Sequence, residues 1–199
     1  MRLRRDDRGV TLPEVMIAVT ILAIIIVPLA DALIGFMRNT DATTRRMNES
    51  HDIQIASTYF ARDIQNLGAR DWTPPPSLTL MQSLSLTSYC TGAGTVALSL
   101  RYDDPAAAGG APTVIGVTYF VRDVNGEHQL RRVQCRGATV DSDIVLVHNL
   151  VSASAPSCTS PSNCYTASVP QLVTLTLNIK DPANSTATQV VLTGQRGQT

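Results

Sequence analysis

The sequence predicts an α+β fold, one long N-terminal helix packed on an antiparallel β-sheet, and three observations carry that prediction. Residues 15–30 read VMIAVTILAIIIVPLA, sixteen positions without a charge. Apolar residues then recur at spacings of three and four up to Leu67, the period of an amphipathic helix. Beyond the run Thr73-Pro74-Pro75-Pro76 the apolar period falls to two, the signature of strands with one face buried.

Residues 10–67 read as a single helix. Ile53, Ala56, Phe60, Ile64 and Leu67 form its buried stripe, while Arg45, Arg46, Glu49, Asp52, Arg62 and Asp63 fall mostly on other faces. Pro13 lies in the first turn, where a missing N–H costs little. Pro28 is deeper and is expected to kink or locally melt the helix. Gly68 reads as the stop signal. At 1.5 Å per residue the helix would be a rod of roughly 85 Å, apolar in its first half and amphipathic in its second. The organisation expected is a leader at 1–9, an apolar half-helix at 10–37, an amphipathic half at 38–68 and a β-rich head at 69–199.

In the head, Val96, Leu98, Leu100 and Tyr102 alternate with polar or small residues. Residues 113–123 and 128–135 flank Asn125-Gly126, a strong hairpin signal. Ile144, Leu146, His148 and Leu150 suggest one further strand. Val173, Leu175, Leu177 and Ile179 mark another, which returns through Asp181–Asn184 to a last strand near 187–194. Residues 105–112, rich in Ala and Gly, read as a surface loop, whereas 69–94 and 152–170 carry too little periodicity to place.

Composition narrows the function. The chain has 199 residues with 16 basic and 16 acidic side chains, so no global field favours nucleic acid. Residues 1–9 contain four Arg and two Asp, and without them 12 basic and 14 acidic residues remain, with Lys180 the single lysine. The four cysteines, Cys90, Cys135, Cys158 and Cys164, form no C-x-x-C pair, and no histidine is spaced to complete a zinc site. Beyond an export signal an even count suggests disulfides, and four cysteines allow three pairings. The short loop CTSPSNC favours Cys158–Cys164, leaving Cys90–Cys135 to tie distant segments, against the alternative of free buried thiols. His51, His128 and His148 have no nucleophile motif beside them, so no catalytic residue, metal or cofactor is assigned. Asp103-Asp104 and Asp141-x-Asp143 could touch a cation, but turn and strand-edge chemistry is the favoured reading.

The front of the apolar run is its most specific feature. A basic leader, MRLRRDDRG, ends in Gly9, and one acidic residue, Glu14, stands just inside the run. A carboxylate at that depth in hydrocarbon costs on the order of 3 kcal/mol and marks a functional site by default. An ordinary secretory signal fits poorly, because helical patterning continues through 31–67 and an acidic residue is wrong for such an apolar core. A plain membrane anchor is the other simple reading, though the run is short for a full span.

Residues 8–30 resemble the prepilin (class III) signal of type IV pilins and type II secretion pseudopilins. With Val10 as the first mature residue, Glu14 holds the position of that family's fifth-residue glutamate. Val10 stands where the family usually has Phe, and Pro13 where it usually has Ile or Leu, which points away from a major pilin. Residues 59–68, YFARDIQNLG, and the ending LTLNIKDPANSTATQVVLTGQRGQT resemble the helix end and closing hairpin of PilW/PulJ-type minor pilins.

The resemblance implies cleavage between Gly9 and Val10 by a prepilin peptidase, N-methylation of Val10, and pairing of Glu14 with a neighbouring subunit's N-terminal amine. It implies a minor pilin or pseudopilin rather than an enzyme. Its partners would be other pilin or pseudopilin subunits, the peptidase, an inner-membrane assembly platform and membrane lipid. The expected location is a single pass of the cytoplasmic membrane with the C-terminal domain outside the cytoplasm, then an extracellular or periplasmic filament. The rival readings are a ligand-binding tip subunit for adhesion or DNA uptake and, more remotely, a membrane-anchored enzyme.

Overall fold

A computed structural model describes residues 11–72, 77–104, 112–166, 168–180 and 186–197. Helix α1 (Leu12–Gln65) is followed by eleven strands among the described residues. They are β1 (Arg70–Asp71), β2 (Ser77–Leu80), β3 (Leu84–Ser85), β4 (Thr95–Asp104), β5 (Thr113–Val124), β6 (Glu127–Arg136), β7 (Thr139–Val147), β8 (Leu150–Ala153), β9 (Ser157–Thr159), β10 (Leu172–Lys180) and β11 (Ala187–Gln195). The architecture is α+β, a long N-terminal helix followed by antiparallel sheets.

The chain divides into two compact units, residues 1–46 and 47–199. In the first, α1 is helical without a break across Pro28. The local melting expected there does not occur. A proline forfeits its own hydrogen bond to the preceding turn, and the bonds on either side carry the helix past it.

The second unit holds the core. Its share of α1 buries Ala56, Phe60 and Ile64, spaced four apart, so that they form one stripe. That stripe joins Leu98 and Leu100 of β4, Val117 and Tyr119 of β5, Leu130 of β6, Val173, Leu175 and Leu177 of β10 and Leu192 of β11 in one cluster. Full burial of a side chain such as Phe60 or Ile64 stabilises by about 1.5–3 kcal/mol. Gly194 sets the closeness of β11 to the helix, since a Cβ there would lie 2.5 Å from Ile64 Cβ.

The strands form three sheets rather than the one expected. The largest runs β3-β4-β5-β6-β7, the second β11-β10-β8 with β9 also on β10, and β1 pairs β2. Alternation identifies a strand but not its partner. The chain changes sheet at the strand expected through residues 144–150, which divides at His148-Asn149 into β7 and β8. Asn149 turns with φ +53°, a left-handed conformation asparagine tolerates. Two carboxylates then replace the lost ladder. Asp52 Oδ2 accepts from the His148 N–H (3.1 Å) and Glu127 Oε1 from the Asn149 N–H (3.2 Å).

The Asn125-Gly126 hairpin has both turn residues at positive φ, +57° and +83°, as a two-residue loop requires. Segment 88–94, unplaced from the sequence, lies along the five-stranded sheet. The Cys90–Cys135 disulfide fastens it there, and Cys90 shares a second small core with Phe120, Val133 and Cys135. The other disulfide joins Cys158 to Cys164. The expected linker at 73–76, most of the loop at 105–112, and the return through 181–184 lie outside the described residues.

Candidate assembly site

The candidate site begins at the first turn of α1. Thr11 precedes the helix, and its carbonyl accepts from the N–H groups of Glu14 (3.0 Å) and Val15 (3.3 Å). Thr11 and Glu14 thus have the S/T-x-x-E spacing of a capping box, which sequence reasoning had not used. No side-chain hydrogen bond or ion pair engages the Glu14 carboxylate among the described residues, and the residue is exposed. It sits in the first turn, where the helix dipole favours negative charge. Gly9 and Val10, expected to form the cleavage point and the methylated terminus, lie outside the described residues.

Behind Glu14 the apolar residues face solvent in every direction. Ile17, Ile21, Ile24, Ile25, Leu29, Leu33 and Phe36 are all exposed, Ile24 by 73 %. A helix apolar all round is either the core of a larger body or a membrane span. Residues of the first unit bury nothing of that run, and the helix is long and apolar enough to cross a bilayer.

The second carboxylate of note is Asp63, which the sequence placed among residues off the buried stripe. The structure overturns that placement. Asp63 is 1 % exposed and takes a bidentate pair from Arg132, Nε to Oδ2 and Nη2 to Oδ1, both 2.7 Å. The Tyr119 hydroxyl donates to Oδ2 at 2.6 Å. Arg132 lies over the Tyr59 ring at 5.1 Å, and Phe60 meets Tyr119 edge-on at 5.8 Å. A planar guanidinium suits this fork.

The electrostatics follow from this enclosure. Burial first, then the Asp63 charge, pushes the Tyr119 hydroxyl well above its usual range. The same causes raise Tyr102. Burial by itself would lower Arg132, but hydrogen bonds and charge from Asp63 more than offset it and hold the guanidinium protonated. Within YFARDI, the Arg-Asp pair alone could have flagged Asp63. Nothing local marked Arg132 or Tyr119, which arrive from 69 and 56 positions away.

The four aspartates considered for a cation are engaged within the head. Asp103 accepts from the Arg70 N–H, Asp104 and Asp141 pair Arg136, and Asp143 pairs Arg131 and Arg122. No cluster of metal-ligating side chains occurs among the described residues. His148 Nδ1 meets Asp52 Oδ2 at 2.8 Å, a link from α1 to the sheet switch.

The site and fold define a membrane-type helix, apolar on all sides with one carboxylate at its start, followed by a disulfide-bonded α+β head. Residues 4–30 match the family model described as the prokaryotic N-terminal methylation motif. That match supports a type IV pilin-like protein, fits a membrane-anchored chain, and points to a structural subunit with other pilins and a prepilin peptidase as the kind of partner. No curated protein and no solved structure matches the chain.

Proposed function

We propose that the chain is a minor pilin or pseudopilin, a membrane-stored subunit that joins or initiates a type IV pilus-like filament. One observation carries the reading: an exposed carboxylate, without a partner in its own chain among the described residues, opens an exposed, charge-free run of the helix inside the methylation motif. After cleavage at Gly9-Val10, the Val10 amine is a cation at a helix N-terminus, where the dipole disfavours it. Glu14 in the bilayer is costly on the order of 3 kcal/mol. Docking two subunits so that Glu14 of one meets the Val10 amine of the next relieves both and sets the axial register, while the apolar helices bundle behind them.

Arg2, Arg4, Arg5 and Arg8 in the leader support a cytoplasmic N-terminus, with the head on the far side. Two disulfides in the head support an oxidising compartment there. Pro13, and the PilW/PulJ-like stretches at 59–68 and the C-terminal end, favour a minor subunit. A DNA-binding tip is less favoured, because Arg122, Arg131, Arg132 and Arg136 are each engaged by carboxylates.

Intact mass and N-terminal sequencing of the native protein, with and without the peptidase, test the processing. The expected terminus is Val10 carrying one methyl group, and a terminus beyond residue 30 would overturn the reading. Glu14→Ala should be exported and cleaved normally but incorporate poorly into filaments. Normal incorporation of that variant rules out the charge-pairing step.

A further inference from the structure

Helix α1 has two kinds of support along its length, and one stretch has neither. Behind Glu14 the helix is apolar enough to cross a bilayer, where its backbone groups can be satisfied only by its own helical hydrogen bonds. From Asp52 onward the head holds it. Asp52 Oδ2 accepts from the His148 N–H, Ile53 packs against the core, and Ala56, Phe60 and Ile64 are buried. Between these supports lie residues 38–51, RNTDATTRRMNESH, none of which is buried.

The composition of this stretch does little to keep it wound. Asn39, Thr40, Asp41, Thr43, Thr44, Asn48, Ser50 and His51 are all weak helix formers. Their side chains lose rotamer freedom in a helix or compete for its backbone hydrogen bonds. That competition is visible at Thr40 and Thr43, whose hydroxyls donate to the Phe36 and Asn39 carbonyls, each at 2.9 Å. Such back-bonding weakens a helix slightly. Asp41, Arg45 and Glu49 have the four-residue spacing of helix-stabilising pairs, yet no ion pair joins them among the described residues.

A helix interior is protected by the cost of nucleation, a factor of about 10⁻³ for restarting the helix after a break. Each weak former lowers the helical equilibrium about two- to threefold relative to alanine, so the eight together lower it about 10³-fold. The two factors are of similar size, and no buried contact of this stretch tips the balance toward helix. The division of the chain into compact units falls inside the same stretch, between residues 46 and 47.

We propose that residues 38–51 are a joint, a length of helix that opens and closes reversibly while the apolar run before it and the head after it stay folded. Helix rises 1.5 Å per residue and extended chain about 3.3 Å, so full opening lengthens this tether by about 25 Å. A head on the open joint is held by the membrane run but not aimed by it, and can search for a partner within that reach. Closing restores the continuous helix. Pro28 is not the weak point, since α1 passes it unbroken. The inference concerns residues 38–51 and does not depend on pairing of Glu14.

Limited trypsin digestion of the full chain in detergent micelles, read by mass, tests the joint. When opening and closing are fast, cleavage tracks the population of the open form. Arg45 and Arg46 lie inside the joint, and Arg62, also exposed but on the packed part of the same helix, is the internal control. Cleavage after Arg45 or Arg46 should be at least about tenfold faster than after Arg62, because packing keeps the latter closed. Amide exchange should likewise be faster at 40–51 than at 56–64, while remaining measurably protected. Replacing three weak formers together, by Thr40→Ala, Thr43→Ala and Thr44→Ala, should slow cleavage at Arg45 and Arg46 about tenfold and leave the rate at Arg62 unchanged. Equal cleavage at Arg46 and Arg62 overturns the proposal, as does an unchanged rate in the triple variant. Amides at 40–51 without any protection, in wild type and triple variant alike, also overturn it, since the stretch would then be permanently unwound rather than a joint.

Discussion

Glu14 and Asp63 are carboxylates on one helix, and their surroundings could hardly differ more. Glu14 is exposed, opens a run of exposed apolar residues, and has no side-chain partner among the described residues. Asp63 is enclosed, gripped by both arms of Arg132 and by Tyr119. The contrast separates two uses of the same chemical group. A carboxylate whose partners come from its own chain fixes the fold. One left without them is available to something outside the chain, which is the physical content of the proposed assembly role for Glu14.

Removing each carboxylate should therefore break different things. Asp63→Ala leaves Arg132 as an uncompensated buried charge and should cost about 3–5 kcal/mol of head stability, read by chemical denaturation of the full chain in micelles. A loss below about 1 kcal/mol would mean that water reaches the pair and that the contrast with Glu14 is overstated.

Next in size are the disulfides. Cys90–Cys135 spans 45 positions and Cys158–Cys164 spans 6, so on chain-entropy grounds their removal by paired Ser substitutions should cost about 4 and about 2 kcal/mol respectively. Equal losses would point to native-state contacts rather than loop closure as the source.

Tyr119→Phe strips one hydrogen bond from a buried carboxylate and should cost about 1–3 kcal/mol. It also sharpens the electrostatic side of the comparison. Tyr119 and Tyr102 have hydroxyls raised above their ordinary 10.0 in the folded head. Both groups are protonated in either state below pH 10, so stability is fully present there. Above it the unfolded chain ionises first, and stability falls as pH rises. Tyr119→Phe should flatten that alkaline decline, measured as the denaturation midpoint between pH 8 and pH 11.

The smallest effect on stability belongs to Glu14→Ala, which should shift the head's denaturation midpoint by no more than about 0.5 kcal/mol. A larger shift would mean that the first turn supports the fold, through its capping-box spacing with Thr11, and would weaken the case that this carboxylate is reserved for a neighbour.

Much of this plan was legible because it rests on local patterns. Of the stripe read from helical period, Ala56, Phe60, Ile64 and Leu67 are buried and Ile53 is half-buried against the same core. The Asn-Gly turn is local as well, because only residues tolerant of positive φ close a two-residue hairpin. The charge-free run behind Glu14 needs no tertiary information either: its length and composition already demand an apolar environment. What the pattern misjudged was Asp63. A polar residue beside a buried stripe is read as solvent-facing, since burying a charge is costly unless a partner meets it, and the partner here lies 69 positions away.

The amino-acid sequence by itself thus determined the helix, the strands of regular alternation, and the exposed carboxylate at the head of an apolar run, because each depends on neighbours within a few residues. Tertiary structure alone decided that the strands divide between sheets at Asn149, that Arg132 and Tyr119 converge on Asp63, and that β11 is left at an open edge. Those depend on which distant segments meet. Alternation tells a strand which face to bury, but only packing tells it beside whom to lie.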